Sequence, residues 1–385
     1  MSMPRPTSSP TDIATSRRSL LAGGVALGAA GVVGRLDRAS AQDATPMASP
    51  VVATPGASPV AGVAVDPQMQ EVLDAMASFN NPPIESTTPE VARALPSFAN
   101  ALHMVEAMRG VEPSTAVAVQ GGTIPGPEGD IAVRSYRPAA ADPATPLPVV
   151  AYFHGGGFVI ANLDTYEHSF MAIAEMAQCL VVAAHYRQAP EHPFSAAVDD
   201  AYAVTQYLLA SAGEMGGDPA KVAVMGESAG GNLATVVCLK ARDEGGTMPI
   251  HQVLVYPVAT FAPEGEQTAS IEQFADAKPL NAAMLEWFKS YYLPNATDAQ
   301  NAYASPLLAS DLTGLPPATV IQAEIDPLQS QGTAYAQALE AAGIEVTATL
   351  YTGVTHEFFG MGSVVDKAKE AEMEAAEALM TAFGA

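Results

Sequence analysis

From about residue 145 onward, apolar segments rich in β-branched residues alternate with segments of helical periodicity. Segments that are apolar at nearly every position suit strands buried on both faces, as in parallel sheets. Strands that alternate with helices predict an α/β fold with a mainly parallel central sheet covered by helices on both sides. The apolar segments are LPVVAYF, CLVVAAHY, KVAVMG, IHQVLVYPV, PPATVIQAE and EVTATLY.

Two further strand-like segments, TAVAVQGG and IAVRSYRP, come before this alternation. The Gly- and Pro-rich segment GTIPGPEGD separates them, which is typical of a turn. We therefore expect the sheet to begin with a hairpin-like pair of strands.

Two amphipathic helical segments have no strand partner, one in residues 67–110 and one in residues 262–300. We expect them to pack together as a small helical cap beside the C-terminal edge of the sheet, where open α/β sheets bind ligands. Such a cap would hold its large apolar side chains over the site, although each could instead pack only within the cap. These side chains are Met69, Met76, Phe79, Trp287 and Phe288.

The first 41 residues resemble an export signal of the twin-arginine type. Arg17 and Arg18 precede an apolar stretch that reaches Gly34, and Ala39-Ser40-Ala41 has the small residues of a cleavage site. The apolar stretch is short for a membrane span, which favours cleavage over an uncleaved anchor. We expect an exported protein, periplasmic or extracellular, with no stable membrane association after cleavage.

The composition changes sharply after the predicted signal. Residues 42–66 consist almost entirely of Ala, Pro, Ser, Thr, Val and Gly, which predicts a disordered linker. The remaining residues, 67–385, are then one α/β domain with its cap, and the 49% hydrophobic content of the chain can fill a large core.

The charge of the chain limits its partners. Lys and Arg number 17 against 41 Asp and Glu, a formal net charge of −24, which disfavours nucleic acids and anionic membranes. Cys179 and Cys238 are the only cysteines, too few for a disulfide framework. We expect buried free thiols, with one disulfide as the alternative, and neither a metal nor a cofactor. A monomer and a homodimer are both compatible with the sequence.

A nucleophile elbow of the pattern G-x-S-x-G stands at Gly226-Glu227-Ser228-Ala229-Gly230. It lies between the strand KVAVM and a helical segment, the context in which such an elbow lifts its serine above a sheet. Small residues flank the serine because the chain turns too tightly there for larger ones. Ser228 is therefore the candidate nucleophile, and an ordinary Gly/Ser turn is the alternative.

A serine nucleophile needs a base to take its proton and a third group to orient that base. Asp326 follows the strand PPATVIQAEI, and His356 follows the last strand in the loop GVTHEFFG. The order Ser, Asp, His is the one found in α/β hydrolases. Four other acids are less suitable partners for the base. Glu324 lies within the strand, two residues before Asp326, and the others come too early in the chain: Glu227, Asp199 and Asp200.

A glycine-rich segment, His154-Gly155-Gly156-Gly157, directly follows the strand LPVVAYF. Glycines let backbone N–H groups approach a developing oxyanion without a side chain in between. A phosphate-binding loop is the alternative, but the patterns G-x-x-x-x-G-K-[ST] and G-x-G-x-x-G are absent here. A further N–H group is expected from Ala229, the residue after the serine.

Taken together, these motifs resemble the bacterial hormone-sensitive lipase family of carboxylesterases. The similarity covers most of residues 70–385 and rests on HGGGF, GESAGG, YRQAPEHPF at 186–194, DPL at 326–328 and GVTH at 353–356. It implies the α/β-hydrolase fold, a triad and an oxyanion hole made by three N–H groups. The triad would be Ser228, Asp326 and His356, and the N–H groups would be those of Gly156, Gly157 and Ala229.

The resemblance also guides the remaining expectations. The YRQAPEHPF segment should brace the wall of the site, which leaves His192 outside catalysis. Glu227 stands where the family has Asp or Thr, Gln188 replaces Leu, and Gln329-Ser330-Gln331 replaces charged residues, so the range of substrates stays open.

The expected activity is that of a serine carboxylesterase, which hydrolyses small-molecule esters with short to medium acyl chains through an acyl-enzyme intermediate. One alternative is a ligand-binding relative without catalysis, although such relatives lose the histidine that is present here. Another is a lactonase or amidase that uses the same triad.

Overall fold

The structure is a computed structural model that describes residues 62–385. The predicted export signal, residues 1–41, and most of the predicted linker lie outside the described residues. In the described part of the chain, no helix is both long and apolar enough to span a membrane.

Within residues 62–385, eight strands form one sheet in the order β1-β2-β4-β3-β5-β6-β7-β8. Strands β1, β2 and β4 pair antiparallel, and the pairs from β4 through β3 to β8 are parallel. The predicted mainly parallel sheet is therefore confirmed. The strands are β1 Val117–Gly126, β2 Gly129–Pro138, β3 Leu147–Phe153, β4 Leu180–His185, β5 Gly217–Glu227, β6 Gln252–Val255, β7 Ala318–Ile325 and β8 Val346–Thr355.

The hairpin at the start of the sheet is longer than the sequence suggested. The register pairs Ile124 with Ile131 and Gly126 with Gly129, so most of the predicted turn segment GTIPGPEGD is strand. Ile124 and Ile131 are both buried, and their packing against the core favours continued pairing over a wide loop. Only residues 127 and 128 connect the two strands.

Helices cover both faces of the sheet. Along β3, Val149 and Phe153 face the layer that contains α5, α6 and α9, whereas Val150 and Tyr152 face the layer of α4 and α10. The helices are α1 Pro67–Ser78, α2 Pro89–Ala94, α3 Phe98–Arg109, α4 Glu167–Met176, α5 Ala196–Ser211, α6 Ala229–Glu244, α7 Ala269–Gln273, α8 Ala282–Tyr292, α9 Gln329–Ala341 and α10 Asp366–Phe383.

Local sequence explains several of the helix boundaries. The Asp66 side chain accepts a hydrogen bond from the Gln68 N–H (2.8 Å) and caps α1, whose first residue is Pro67. The Asn281 side chain likewise caps α8 through the Met284 N–H (2.8 Å). These caps satisfy backbone donors that would otherwise lack partners at the helix starts.

The two segments predicted to form one cap are only partly together in the structure. Helices α1 and α3 pack on the face of α4 and α10, and their Met69 and Leu102 side chains join the cluster that contains Phe170 and Phe358. Met76 and Phe79 border the same cluster. Trp287 and Phe288 of α8 belong to the opposite cluster. The helical periodicity identifies which side of each helix is buried, but it does not identify the surface that covers it.

One part of the N-terminal segment does meet α8. The Trp287 Nε1–H donates to the carbonyl of Thr87 (3.1 Å), just before α2. The Asn281 side chain lies 3.5 Å from the Glu85 carboxylate. The stretch just before α2 is therefore the part of the N-terminal segment that contacts α8.

Cys179 and Cys238 are buried free thiols, as the sequence predicted. Burial raises the pKa of the Cys179 thiol to about 12. A thiol that stays protonated in this way does not act as a nucleophile.

Candidate active site

Ser228 lies at a sharp turn between β5 and α6. Its backbone has φ 55° and ψ −115°, a strained conformation for a residue with a side chain. The turn is so tight that a Cβ on Gly230 would lie 1.9 Å from the carbonyl oxygen of Phe153. The Ser228 N–H donates to the Val255 carbonyl (2.9 Å), which ties the elbow to β6. The predicted elbow context of strand, turn and helix is therefore present.

The ends of three parallel strands bring the predicted triad residues together. Asp326 follows β7, and His356 follows β8. His356 Nδ1 lies 2.6 Å from Asp326 Oδ2, and His356 Nε2 lies 2.9 Å from Ser228 Oγ. The second carboxylate oxygen of Asp326 accepts the Leu328 N–H (2.8 Å), which fixes the carboxylate. This arrangement can hold a proton on Nδ1 and aim the Nε2 lone pair at the serine hydroxyl.

Neighbouring charges set the protonation of His356. Burial is the largest single influence on His356 and lowers its pKa, but the charge and hydrogen bond of Asp326, with smaller contributions from Glu357 and Glu227, together outweigh it. The pKa of His356 consequently lies above its ordinary value of 6.5.

Each rival acid has other partners. The Glu324 carboxylate accepts the Gly353 N–H (2.7 Å), and Asp200 receives two hydrogen bonds from the guanidinium of Arg187 (2.9 and 2.8 Å). Asp199 accepts the Ser195 hydroxyl (2.8 Å). Asp326 is the acid at Nδ1 of His356.

The glycine-rich segment after β3 forms a loop beside Ser228. Gly157 has φ 60°, and a Cβ at this position would lie 2.3 Å from the ring of Phe288. Within residues 62–385, the N–H groups of Gly156 and Gly157 donate to no other backbone carbonyl. Ala229 is the first residue of α6, so its N–H has no partner within the helix. An oxyanion hole needs backbone N–H groups that lack such partners, as these three do in the described part of the chain.

The YRQAPEHPF segment braces this loop. The Tyr186 hydroxyl donates to the His154 carbonyl (2.8 Å), and the Gln188 side chain donates to the Ile160 carbonyl (2.6 Å). The His154 ring stacks on Tyr186 with centroids 4.5 Å apart. Burial lowers the pKa of His154 to about 3, so its ring is neutral. His192 is exposed. These contacts support the bracing role predicted for the segment.

Glu227, which precedes the nucleophile, is completely buried. The Tyr152 hydroxyl lies 2.7 Å from Glu227 Oε1, and the Tyr256 hydroxyl lies 2.5 Å from Oε2. Burial, and then the negative charge of Glu357, raise the pKa of Glu227 to about 8. Glu227 therefore carries a proton at neutral pH.

A second acid near His356 was not singled out from the sequence. Glu357 Oε1 accepts the Tyr166 hydroxyl (2.7 Å) and lies 3.9 Å from His356 Nε2. Burial raises the pKa of Glu357 as well. The only sequence clue to this acid is its position directly after the candidate base.

The part of the chain that carries this site is similar to known proteins. The profile of a family described as alpha/beta hydrolase fold matches residues 150–360. A carboxylic ester hydrolase, LipN, of Mycobacterium tuberculosis is 39% identical over 306 residues, which are 78% of this chain and 78% of that protein. An ethyl acetate hydrolase of Pseudomonas putida is 38% identical over 249 residues, 64% of this chain and 77% of that protein.

Solved structures show the same similarity. The crystal structure of an α/β-hydrolase enzyme from the metagenome of Lake Arreo in Spain superposes with a TM-score of 0.74 at 37% identity, covering 83% of this chain and 99% of the other. The chain therefore belongs to the hormone-sensitive lipase-like carboxylesterases of the α/β-hydrolase superfamily.

Proposed function

We propose that this protein is a serine carboxylesterase in which Ser228 is the nucleophile, His356 the general base and Asp326 the residue that orients the base. One observation carries the proposal: a single imidazole lies within hydrogen-bonding distance of both the serine hydroxyl (2.9 Å) and a buried carboxylate (2.6 Å). The family to which the chain belongs supports the same activity.

In the acylation step, the Ser228 proton passes to His356 Nε2 while Oγ attacks the ester carbonyl carbon. The carbonyl π-bond opens, and its oxygen takes up the negative charge. The N–H groups of Gly156, Gly157 and Ala229 stabilise this oxyanion. The carbonyl then re-forms, the bond from its carbon to the alkoxide oxygen breaks, and the imidazolium protonates that oxygen. The alcohol departs, and the acyl group remains bound to Ser228.

In the deacylation step, His356 takes a proton from a water molecule, whose oxygen attacks the acyl carbonyl. The second tetrahedral intermediate uses the same three N–H groups. Its collapse breaks the bond to Ser228 Oγ, which regains its proton from the imidazolium. The products are the free acid and an unchanged enzyme.

We further propose that acyl chains of about four to eight carbons are preferred. Phe288 lies over Gly157, so one wall of the site is fixed by an aromatic ring. An acyl chain gains roughly 0.8 kcal/mol for each buried CH₂ only until it reaches such a wall. The name of the ethyl acetate hydrolase similarly points to a small substrate for that relative. A series of chromogenic esters tests this preference, and steady improvement up to about sixteen carbons would contradict it.

The triad assignment is tested with Ser228→Ala. Ester hydrolysis should fall by roughly 10⁴-fold or more, because the three residues act as a unit. Ser310→Ala removes an exposed serine and is the matched control, with activity expected at the wild-type level. Circular dichroism checks that both variants fold. Near-normal turnover in Ser228→Ala would reject the proposal.

Assays with different substrates distinguish the proposed esterase from two alternatives. A lactonase or amidase would use the same groups, and it would show a higher kcat/KM for lactones or amides than for matched linear esters. A protein that only binds ligands would retain esters without turnover. The hydrogen-bonded contact of His356 with Ser228 favours catalysis over binding alone.

We also propose export by the twin-arginine route, which rests on the sequence of residues 1–41. Replacement of Arg17 and Arg18 by Lys should keep the precursor inside the cell. The mature protein should begin at Gln42, which N-terminal sequencing can determine. Mature protein outside the cell after the double replacement would indicate the general export route instead.

A further inference from the structure

A group of three metal-binding side chains lies outside the candidate active site. His103 and Glu106 are three residues apart on α3, so they project from the same side of that helix. His168, near the start of α4, faces them. The potential ligand atoms of the three side chains all lie within 4.8 Å of one another.

We propose that His103, Glu106 and His168 form a zinc site that joins α3 to the body of the domain. Imidazole nitrogen and carboxylate oxygen are ligands that Zn²⁺ binds at about 2.0–2.2 Å in tetrahedral geometry. Three protein ligands leave the fourth position for water. The oxygen-seeking Mg²⁺ demands octahedral geometry and is not served by two imidazoles.

Part of this geometry is already close to that of a zinc site. Ligands at these bond lengths in a tetrahedron are about 3.4 Å apart. His168 Nε2 lies 3.4 Å from Glu106 Oε2. The rings of His103 and His168 have centroids 4.8 Å apart. The ligand atoms of all three side chains lie within 4.8 Å of one another, so the exposed His103 has to move only slightly closer to complete the set.

The surrounding residues hold the other ligands in place. Glu106 Oε1 accepts the Ser363 hydroxyl (2.6 Å), which leaves Oε2 directed at His168. Such hydrogen bonds behind a ligand commonly orient it for metal binding. Farther along α3, the Arg109 guanidinium donates to the Val364 carbonyl (2.6 Å) and anchors the helix to the same loop. A zinc ion here would connect α3, α4 and residues 362–365.

The site is also open to an incoming ion. The His168 and Glu106 side chains are 25% and 15% exposed, and His103 is more exposed. The net charge of −24 raises the concentration of cations near the surface. The alternative is a hydrogen-bonded His–Glu pair that binds no metal.

Calorimetric titration of ZnCl₂ into mature, tag-free protein, after removal of metal with a chelator, tests the proposal. One saturable site with micromolar affinity is expected. Zinc at a hundredfold excess over Kd should raise the Tm by about 4 °C, because only the folded chain holds the three ligands together. MgCl₂ should cause neither effect.

Variants locate the site. His168→Ala and Glu106→Gln should each weaken zinc binding at least about tenfold, which would reduce the Tm shift at the same zinc concentration to about half or less. His192→Ala removes an exposed imidazole elsewhere and is the matched control, with unchanged binding expected. No saturable binding at millimolar zinc, or equal affinity in His168→Ala, would reject the site. Neither result bears on ester hydrolysis, which is measured separately.

Discussion

Replacement of the buried acid beside the nucleophile, Glu227→Gln, should make the stability of the protein less sensitive to pH. In the unfolded chain this carboxyl ionises near its ordinary value of 4.5, whereas burial raises its pKa in the fold to about 8. The folded state therefore binds the proton more tightly. The associated stability is fully present below pH 4.5 and is lost as the pH rises through 8.

The magnitude follows from the size of this pKa difference. Each pH unit between the two values costs about 1.4 kcal/mol, so at pH 7 the folded state has lost about 3 kcal/mol of its stability at acid pH. A glutamine side chain does not take up a proton in this pH range. Its amide can donate to one of the hydroxyls of Tyr152 and Tyr256 and accept from the other, which preserves both contacts. The stability difference between variant and wild type should grow by about 2–3 kcal/mol from pH 5 to pH 7.

Urea denaturation of both proteins at several pH values measures this difference directly. The raised pKa of Glu372, about 7, affects both proteins equally and cancels in the comparison. Glu112→Gln removes an exposed carboxylate and is the control, with curves expected to parallel those of the wild type. If the difference between Glu227→Gln and wild type stayed constant with pH, the proposed proton on Glu227 would be wrong.

Further predictions concern catalysis. Asp326→Asn should reduce kcat by roughly 10⁴-fold through loss of the imidazole orientation, and a larger loss in Glu324→Gln would overturn the acid assignment. The acid limb of kcat/KM should have its midpoint above pH 6.5, because the base His356 must be neutral and its pKa is raised; a midpoint below that value would contradict the electrostatic argument. Gly157→Ala should lower kcat by about 10²–10³-fold, since the added methyl meets Phe288 at 2.3 Å and displaces an oxyanion donor. Phe288→Ala should raise the kcat/KM ratio of octanoate to butanoate esters, and an unchanged ratio would show that this ring does not limit the acyl chain.

Local patterns in the sequence were sufficient for the elements and for the order of the chemical groups. All six apolar segments became strands, and five of them are buried on both faces, which requires apolar residues at successive positions. The sixth, EVTATLY, became the edge strand β8, whose first seven residues are exposed or half-buried. Ser228, Asp326 and His356 could be proposed because each stands directly after a strand, and parallel strands end at one edge of a sheet.

Contacts between distant segments could not be predicted in the same way. The hairpin register follows from the pairing of Ile124 with Ile131, which the Gly- and Pro-rich composition of the turn concealed. The order β2-β4-β3-β5 places strands as neighbours that are not consecutive in the chain. Helices α1 and α3 of the first predicted cap segment pack in a different cluster from α8, because a helix with one apolar side can be covered by any apolar surface of suitable shape.

The sequence by itself determined the fold class, the elbow and the residues that could form a triad, since these depend on composition and spacing within short segments. Only the tertiary structure showed how closely Asp326 meets the imidazole, and that Glu227 is enclosed by tyrosines. It alone also brought His103 and Glu106 to His168, which lies more than sixty residues away. The distances and desolvation that govern these properties arise between segments far apart in the chain, so no local pattern records them.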